Sequence, residues 1–138
     1  MAYDTSNIFA RILRGELPSV NVYEDDATLA FMDIMPSTEG HTLVIPKESA
    51  ETIIDLSPDC ARALIATTQR VARAVKRAFD CPGLMLVQLN GAAAGQSIPH
   101  VHFHVLPRSS GLELDLHGRK RADAKALETT AARIREHL

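Results

Sequence analysis

Residues 84–90, LMLVQLN, and residues 100–106, HVHFHVL, are the two longest strand signals in the chain, separated only by GAAAGQSIP at 91–99. Each is a short apolar run bounded by turn residues, which suits a strand better than a helix. Side chains alternate between the faces of a strand. In the second run, His100, His102 and His104 are therefore expected on one face, with Val101, Phe103 and Val105 turned into a core.

Working outward, VNVYEDDATLAFMDI (residues 20–34) reads as a hairpin around Glu24-Asp25-Asp26, and HTLVIPK (41–47) as a further short strand ended by Pro46. Ser57-Pro58 marks a helix start, an N-cap followed by proline at the first helical position. From there Leu64, Ile65, Thr68, Val71, Val75 and Phe79 recur at helical spacing until Cys81-Pro82-Gly83. A short helix fits Ser6–Arg14, with Ile8, Phe9, Ile12 and Leu13 on one side and Gly15 as its stop. The tail from Arg121 to Leu138 is expected to be helical, with Leu127, Ala131, Ile134 and Leu138 on one face. Strands crowd the centre of the chain and neighbour each other in sequence. The expected fold is α+β, an antiparallel sheet carrying one long and one short N-terminal helix. No repeat, low-complexity tract or linker offers a boundary, so residues 1–138 are expected to form a single domain.

The chain has 138 residues, 46% of them hydrophobic, enough for a real core, and a formal net charge of -2. That balance argues against a nucleic-acid partner or a polybasic membrane anchor, so any attraction for phosphate must be local. The start has no charged region followed by an apolar run, and no apolar stretch is long enough to span a bilayer. Cys60 and Cys81 form no C-x-x-C pair and read as free thiols of a cytoplasmic protein.

Histidine is 6 of 138 residues, so an H-x-H-x-H pattern arises by chance on the order of 1% of the time in such a chain. A polar outer face made of imidazoles would also be a poor choice for solubility. Such a row can bind metal, act as a base or act as a nucleophile. Alternate strand positions stand roughly 6.5–7 Å apart, wide for three rings to meet one ion, and no H-E-x-x-H or paired-cysteine site assists. The preceding loop, Asn90 to Ser97, is small and glycine-flanked. Its backbone N–H groups are expected to line an anion site, with Asn90, Gln96 and Ser97 as neutral donors.

NGAAAGQSIPHVHFHVLPR (residues 90–108) resembles the signature of the histidine-triad (HIT) nucleotide-binding family, and the likeness extends back through IFARILRGELP, VYEDD, AFMDIMP and GHTLVIPK. The order of these blocks is most similar to the Hint-like branch. The resemblance implies an α+β homodimer that binds purine nucleotides and transfers or hydrolyses a nucleoside monophosphate group. It assigns His102 as nucleophile, with His100 and His104 in its hydrogen-bonding and phosphate-contacting surroundings. His41, which reads equally well as a turn residue, matches a further histidine beside the triad. Asp33 matches a carboxylate that holds the ribose hydroxyls, and such a group can accept from both. Ile8, Phe9, Phe31 and Ile34 match the apolar slot for the base, and Asn90, Gln96 and Ser97 the polar groups around the α-phosphate and leaving group.

One departure is informative. Many bacterial relatives carry a C-x-x-C pair and a histidine after the I-P-K segment, together a structural zinc site. Here Asn7-Ile8-Phe9-Ala10 and Pro46-Lys47-Glu48-Ser49 hold none of those ligands, so neither that metal nor another cofactor is expected. No carboxylate cluster calls for magnesium. The reaction implied is double displacement on the α-phosphorus of a phosphoramidate or an acyl or aminoacyl adenylate, with Ser97 relaying a proton to the leaving atom. The rivals are a dinucleoside polyphosphate hydrolase of the same superfamily and an AMP-binding sensor without significant turnover. Arg119-Lys120-Arg121 reads as a solvated surface, and His117 and His137 have no assigned role.

Overall fold

The computed structural model describes residues 2–110 and 120–138. Its elements, in chain order, are α1 (Ile8–Leu13), β1 (Asn21–Glu24), β2 (Thr28–Met32), β3 (Thr42–Pro46), α2 (Pro58–Phe79), β4 (Gly83–Gln88), β5 (Phe103–Arg108) and α3 (Ala124–Arg135). The strands form one antiparallel sheet in the order β1-β2-β3-β5-β4. The α+β expectation therefore holds, down to the hairpin at Glu24–Asp26. Asp25 closes that hairpin by accepting from the amides of Ala27 and Thr28 and from the Thr28 hydroxyl.

Every residue of β2 and β3 is buried, because both faces of the sheet are covered. On one face Ala30, Met32, Val44, Val101 and Val105 pack in a core with Leu64, Val71 and Val75 of α2 and with Leu127, Ala131 and Ile134 of α3. On the other, Leu29, Phe31, Leu43 and Ile45 pack against Phe9 of α1, with Ile12 and Leu13 alongside. The sheet is thus a partition: the long helix lies on one side and the short helix, with the histidines, on the other.

The helix boundaries follow from their caps. Ser57 accepts from the Cys60 amide to start α2, which ends at Asp80 in a left-handed conformation (φ 45°). Asn7 caps α1 by accepting from the Ala10 amide. Cys60 lies at the start of α2 and Cys81 just beyond its end, so some 20 residues of helix, about 30 Å, keep the two thiols apart. Gly40, just before β3, has a φ of +91°, and a Cβ there would meet the Phe79 ring at 2.6 Å. Only glycine fits this approach, and it delivers His41 into the sheet's interior.

Two expectations change. HVHFHVL is not one continuous strand: β5 begins at Phe103, and its pairing with β3 runs only from Phe103 to Val105. Ahead of it the Val101 amide binds the carbonyl of Ala50 and the His100 amide that of Ile98, so both have left the ladder. The tail helix begins at Ala124 rather than Arg121, capped by Asp123. His117 and Arg119 lie outside the described residues.

Candidate active site

A cavity of about 590 Å³ opens on the α1 side of the sheet. Its polar end carries Asp33, His102, His104 and Ser97; its apolar end carries Ile8, Phe9, Phe31 and Ile34. These eight were anticipated from sequence. Ile8 and Ile34 are 46% and 43% exposed, so the apolar slot opens to solvent.

The imidazoles are almost wholly buried, and their hydrogen bonds determine which nitrogen carries the proton. His102 Nδ1 lies 2.7 Å from the carbonyl oxygen of His100. A carbonyl only accepts, so Nδ1 carries a proton and, in the neutral ring, Nε2 keeps its lone pair. The Ser37 amide donates to Nδ1 of His41 at 3.0 Å. His41 in its neutral form therefore donates from Nε2 to Nδ1 of His104, 2.9 Å away, leaving the His104 proton on Nε2. The rings of His102 and His104 lie 4.9 Å apart, centre to centre, closer than strand spacing alone would place them. Phe9 meets His102 edge-on at 5.0 Å and Phe31 at 5.3 Å, so one aromatic ring backs both the histidines and the slot.

His100 faces away from the cavity. Its Nε2 donates to the carbonyl of Pro46 at 2.9 Å, and its Nδ1 lies 2.5 Å from the Tyr3 hydroxyl. Burial pushes its pKa below the ordinary imidazole value, partly opposed by the bond to Pro46. It is a neutral, internally bonded ring that touches no cavity surface, and the anticipated phosphate contact is not available to it.

Asn90 and Gln96 do not line the cavity either. Asn90 Oδ1 accepts from the Ile53 amide and its Nδ2 donates to Gln88. Gln96 accepts from the Gly91 amide and donates to the carbonyls of Glu51 and Ile98. The amides of Ala94, Gly95 and Gln96 bond to carbonyls within the same loop. The segment expected to cradle an anion is instead a self-bonded turn that presents Ser97, exposed, at the cavity's edge.

Sequence reasoning missed part of the wall. Leu17, Pro18 and Val20 line the apolar end, as do Ala122, Ala124 and Leu127. The Ala122 amide donates to the carbonyl of Ile34, strapping the segment before α3 across the slot. Arg121, taken for solvated surface, lines the cavity as well.

Among the described residues, one group could hold a metal ion: Asp33, His41 and His104, whose ligand atoms lie within 4.8 Å of one another. Asp33 Oδ2 is 3.4 Å from Nε2 of His41. An ion there would have to displace the His41 proton while the Ser37 amide still points at Nδ1, leaving an imidazolate. The donor geometry favours a proton over a metal.

Comparisons with known proteins show the family. A family model described as HIT domain matches residues 14–111. This chain belongs to the HIT domain family. Protein hit of Bacillus subtilis is 43% identical over 101 residues, covering 73% of this chain and 70% of the relative. Adenosine 5'-monophosphoramidase hnt1 of Schizosaccharomyces pombe is 37% identical over 103 residues, 75% of this chain and 74% of that protein. The crystal structure of a Hit-like protein involved in cell-cycle regulation from Bartonella henselae, with an unknown ligand, superposes with a TM-score of 0.92 at 45% identity, covering 99% of this chain and 100% of that one. HIT-domain proteins are commonly nucleotide-binding proteins and nucleotide hydrolases. No helix among the described residues is long and apolar enough to cross a membrane.

Proposed function

We propose that this protein hydrolyses purine nucleoside phosphoramidates, or acyl and aminoacyl adenylates, through a nucleotidyl-His102 intermediate. One observation carries the reading: His102 Nδ1 is bonded to the His100 carbonyl, which in the neutral ring reserves the lone pair for Nε2, and the ring lines the same cavity as Asp33 and the apolar slot. A nucleotide held with its base against Ile8, Phe9, Phe31 and Ile34 and its ribose hydroxyls on Asp33 would bring its α-phosphate to the histidine end.

Nε2 attacks phosphorus as the bond to the leaving nitrogen or acyl oxygen breaks. The ring becomes cationic, and the His100 carbonyl that holds Nδ1–H favours that charge. An amine cannot leave as an anion, so it takes a proton through Ser97, which is exposed and can draw it from water. His104, with its proton on Nε2, supplies a donor for the phosphate oxygens. Water then attacks the adduct, returns His102 to its neutral form and releases the nucleoside monophosphate.

The assembly that fits this reading is a homodimer in a cytoplasmic setting. β4 is an edge of the sheet, and Leu86 on it and Ile65 on neighbouring α2 are 46% and 50% exposed, a pair that a second copy would cover. The catalytic reading is tested with a panel of adenosine phosphoramidates, aminoacyl adenylates and diadenosine polyphosphates, with mass spectrometry of protein quenched without acid. A nucleotidyl adduct and higher kcat/KM on the phosphorus–nitrogen substrates are expected. AMP binding without turnover on any of them would make the protein a sensor and overturn the proposal.

A further inference from the structure

We propose that Tyr3, held by Asn7, is a positioning residue for the nucleophile, acting through His100. The inference rests on the reading of His102 given above and adds a device that lies wholly outside the cavity.

The chain of bonds has only one consistent direction. Pro46 offers a carbonyl, so His100 must donate to it from Nε2 at 2.9 Å, and its Nδ1 is left as an acceptor. The Tyr3 hydroxyl, 2.5 Å away, therefore donates to that nitrogen. Asn7 Nδ2 donates in turn to the Tyr3 oxygen at 2.8 Å. The same Asn7 caps α1 through Oδ1 and ties back to the Asp4 carbonyl through Nδ2. At the other end, the carbonyl of His100 receives the His102 Nδ1 proton. Asn7, Tyr3, His100 and His102 are thus linked in series, from the cap of a helix to the attacking ring.

This matters because His100 stands outside the strand ladder. β5 begins at Phe103, so no pairing with β3 fixes the peptide that orients His102. The Val101 amide of that same peptide bonds to Ala50, and the side chain of His100 adds a second hold, anchored at both nitrogens in a site with no exposed surface. Tyr3 also crosses the imidazole edge-on, with ring centres 5.7 Å apart. Without the hydroxyl, Nδ1 would be a buried acceptor with nothing donating to it, and the ring would be free to exchange tautomers or turn. Its carbonyl would then present a less definite target to His102.

Two variants separate positioning from bulk. Tyr3→Phe keeps the ring and removes the donor. Asn7→Asp keeps an equally good helix cap but removes the amide that donates to Tyr3. It also offers the hydroxyl a competing acceptor. Each is expected to lower kcat about 10- to 100-fold, the range for residues that orient catalytic groups at one remove. KM and the Kd for AMP should change less than about twofold, because neither side chain lines the cavity. The double variant should be scarcely worse than either single one, because both break the same series. Nitrogen NMR of the imidazoles supplies the second readout: wild-type His100 protonated on Nε2 and His102 on Nδ1, with both ring signals shifted in Tyr3→Phe.

Wild-type kcat in Tyr3→Phe, or unchanged imidazole signals, would overturn the proposal. So would a parallel loss of AMP affinity, which would mean general loosening. If the wild-type protein turns over none of the nucleotide panel, the functional reading fails by itself. The NMR arm still decides whether Tyr3 sets the His102 ring.

Discussion

The two ends of the cavity are built on opposite principles. At the histidine end His102 and His104 line the wall with His41 and His100 behind them; all four are between 0% and 4% exposed, and Nδ1 of each has a hydrogen-bond partner within 3.0 Å. At the slot end Ile8, Ile34 and Met35 stand 40–46% exposed, with apolar surface facing water. Geometry is tight at the histidine end and open at the slot. Preorganised donors lower a barrier without reorganising during reaction, whereas an apolar slot gains its free energy only when filled.

The sharpest way to break this contrast is to remove the ring at the centre of the wired end. His102→Ala is expected to reduce kcat by about 1,000-fold or more, since loss of a nucleophile removes the covalent route altogether. AMP should still bind, because Asp33 and the slot are intact. Near-normal turnover, measured on the best phosphoramidate, would mean that the wiring serves something other than His102.

Ser97, exposed at the cavity's edge, tests the leaving-group step. Ser97→Ala is expected to cost about 10- to 1,000-fold on amine leaving groups and clearly less on diadenosine polyphosphates, whose leaving group departs without a proton. The informative quantity is the ratio of the two losses. Equal losses would remove the relay, and diadenosine polyphosphates as the better substrates outright would reverse the substrate assignment.

Asp33 tests the ribose link. Its Oδ1 accepts from the Met35 amide and its Oδ2 faces His41, so the carboxylate is aimed by both its own turn and the histidine network. Asp33→Ala is expected to weaken AMP about 10- to 100-fold, the range for hydrogen bonds to a charged group. Calorimetry should also show 2′-deoxy-AMP binding the wild-type protein more weakly than AMP. Equal affinities would detach Asp33 from the ribose.

The same contrast explains what could be read in the sequence. The sheet was legible because each strand has its own turn residues and apolar alternation, and α2 because Ser57-Pro58 announces it. Facing was also legible: Val101 and Val105 lie in the α2 core while His102 and His104 face α1. The break in the strand before Phe103 was not, because it depends on Val101 bonding to Ala50, roughly 50 residues away. Nor could sequence tell an amide turned inward from one turned out. Asn90 and Gln96 looked like phosphate ligands and prove to be ties to Ile53, Glu51 and Ile98. Leu17 and Ala122 reach the slot only through tertiary packing, so no local pattern marks them, and the helical pattern that marks Leu127 does not say that it reaches the slot. Tyr3 lacks a motif altogether and is found only by tracing the hydrogen bonds of His100.

Burial of His100 links the wired end to stability. Its pKa is lower in the folded protein than in the unfolded chain, so between those two values the unfolded state binds more protons. That contribution to stability is complete above the unfolded value, about 6.5, and is lost as pH falls below it toward the folded value. Denaturant midpoints at pH 7.5, 6.5 and 5.5 should therefore fall in that order. A midpoint that rises on acidification would show that His100 is held as the cation and that Tyr3 does not donate to it.

The smallest expected effect is none at all, and it concerns metal. Asn7, in the stretch where the resemblance implies a C-x-x-C pair, has its Oδ1 bonded to the Ala10 amide and its Nδ2 bonded to Tyr3. Ala10, in the same stretch, is buried and without a ligand atom. Lys47, after Pro46, pairs with Glu24, and Glu48 accepts from the Ser57 amide. Among the described residues the donor set of Asp33, His41 and His104 already has a proton at its centre, directed by the Ser37 amide. Chelators are accordingly expected to change neither Tm nor kcat, and elemental analysis to find no stoichiometric zinc. A single zinc held tightly per chain and lost with a drop in Tm would place a metal among Asp33, His41 and His104. The wired end would then be organised by an ion rather than by the order of its protons.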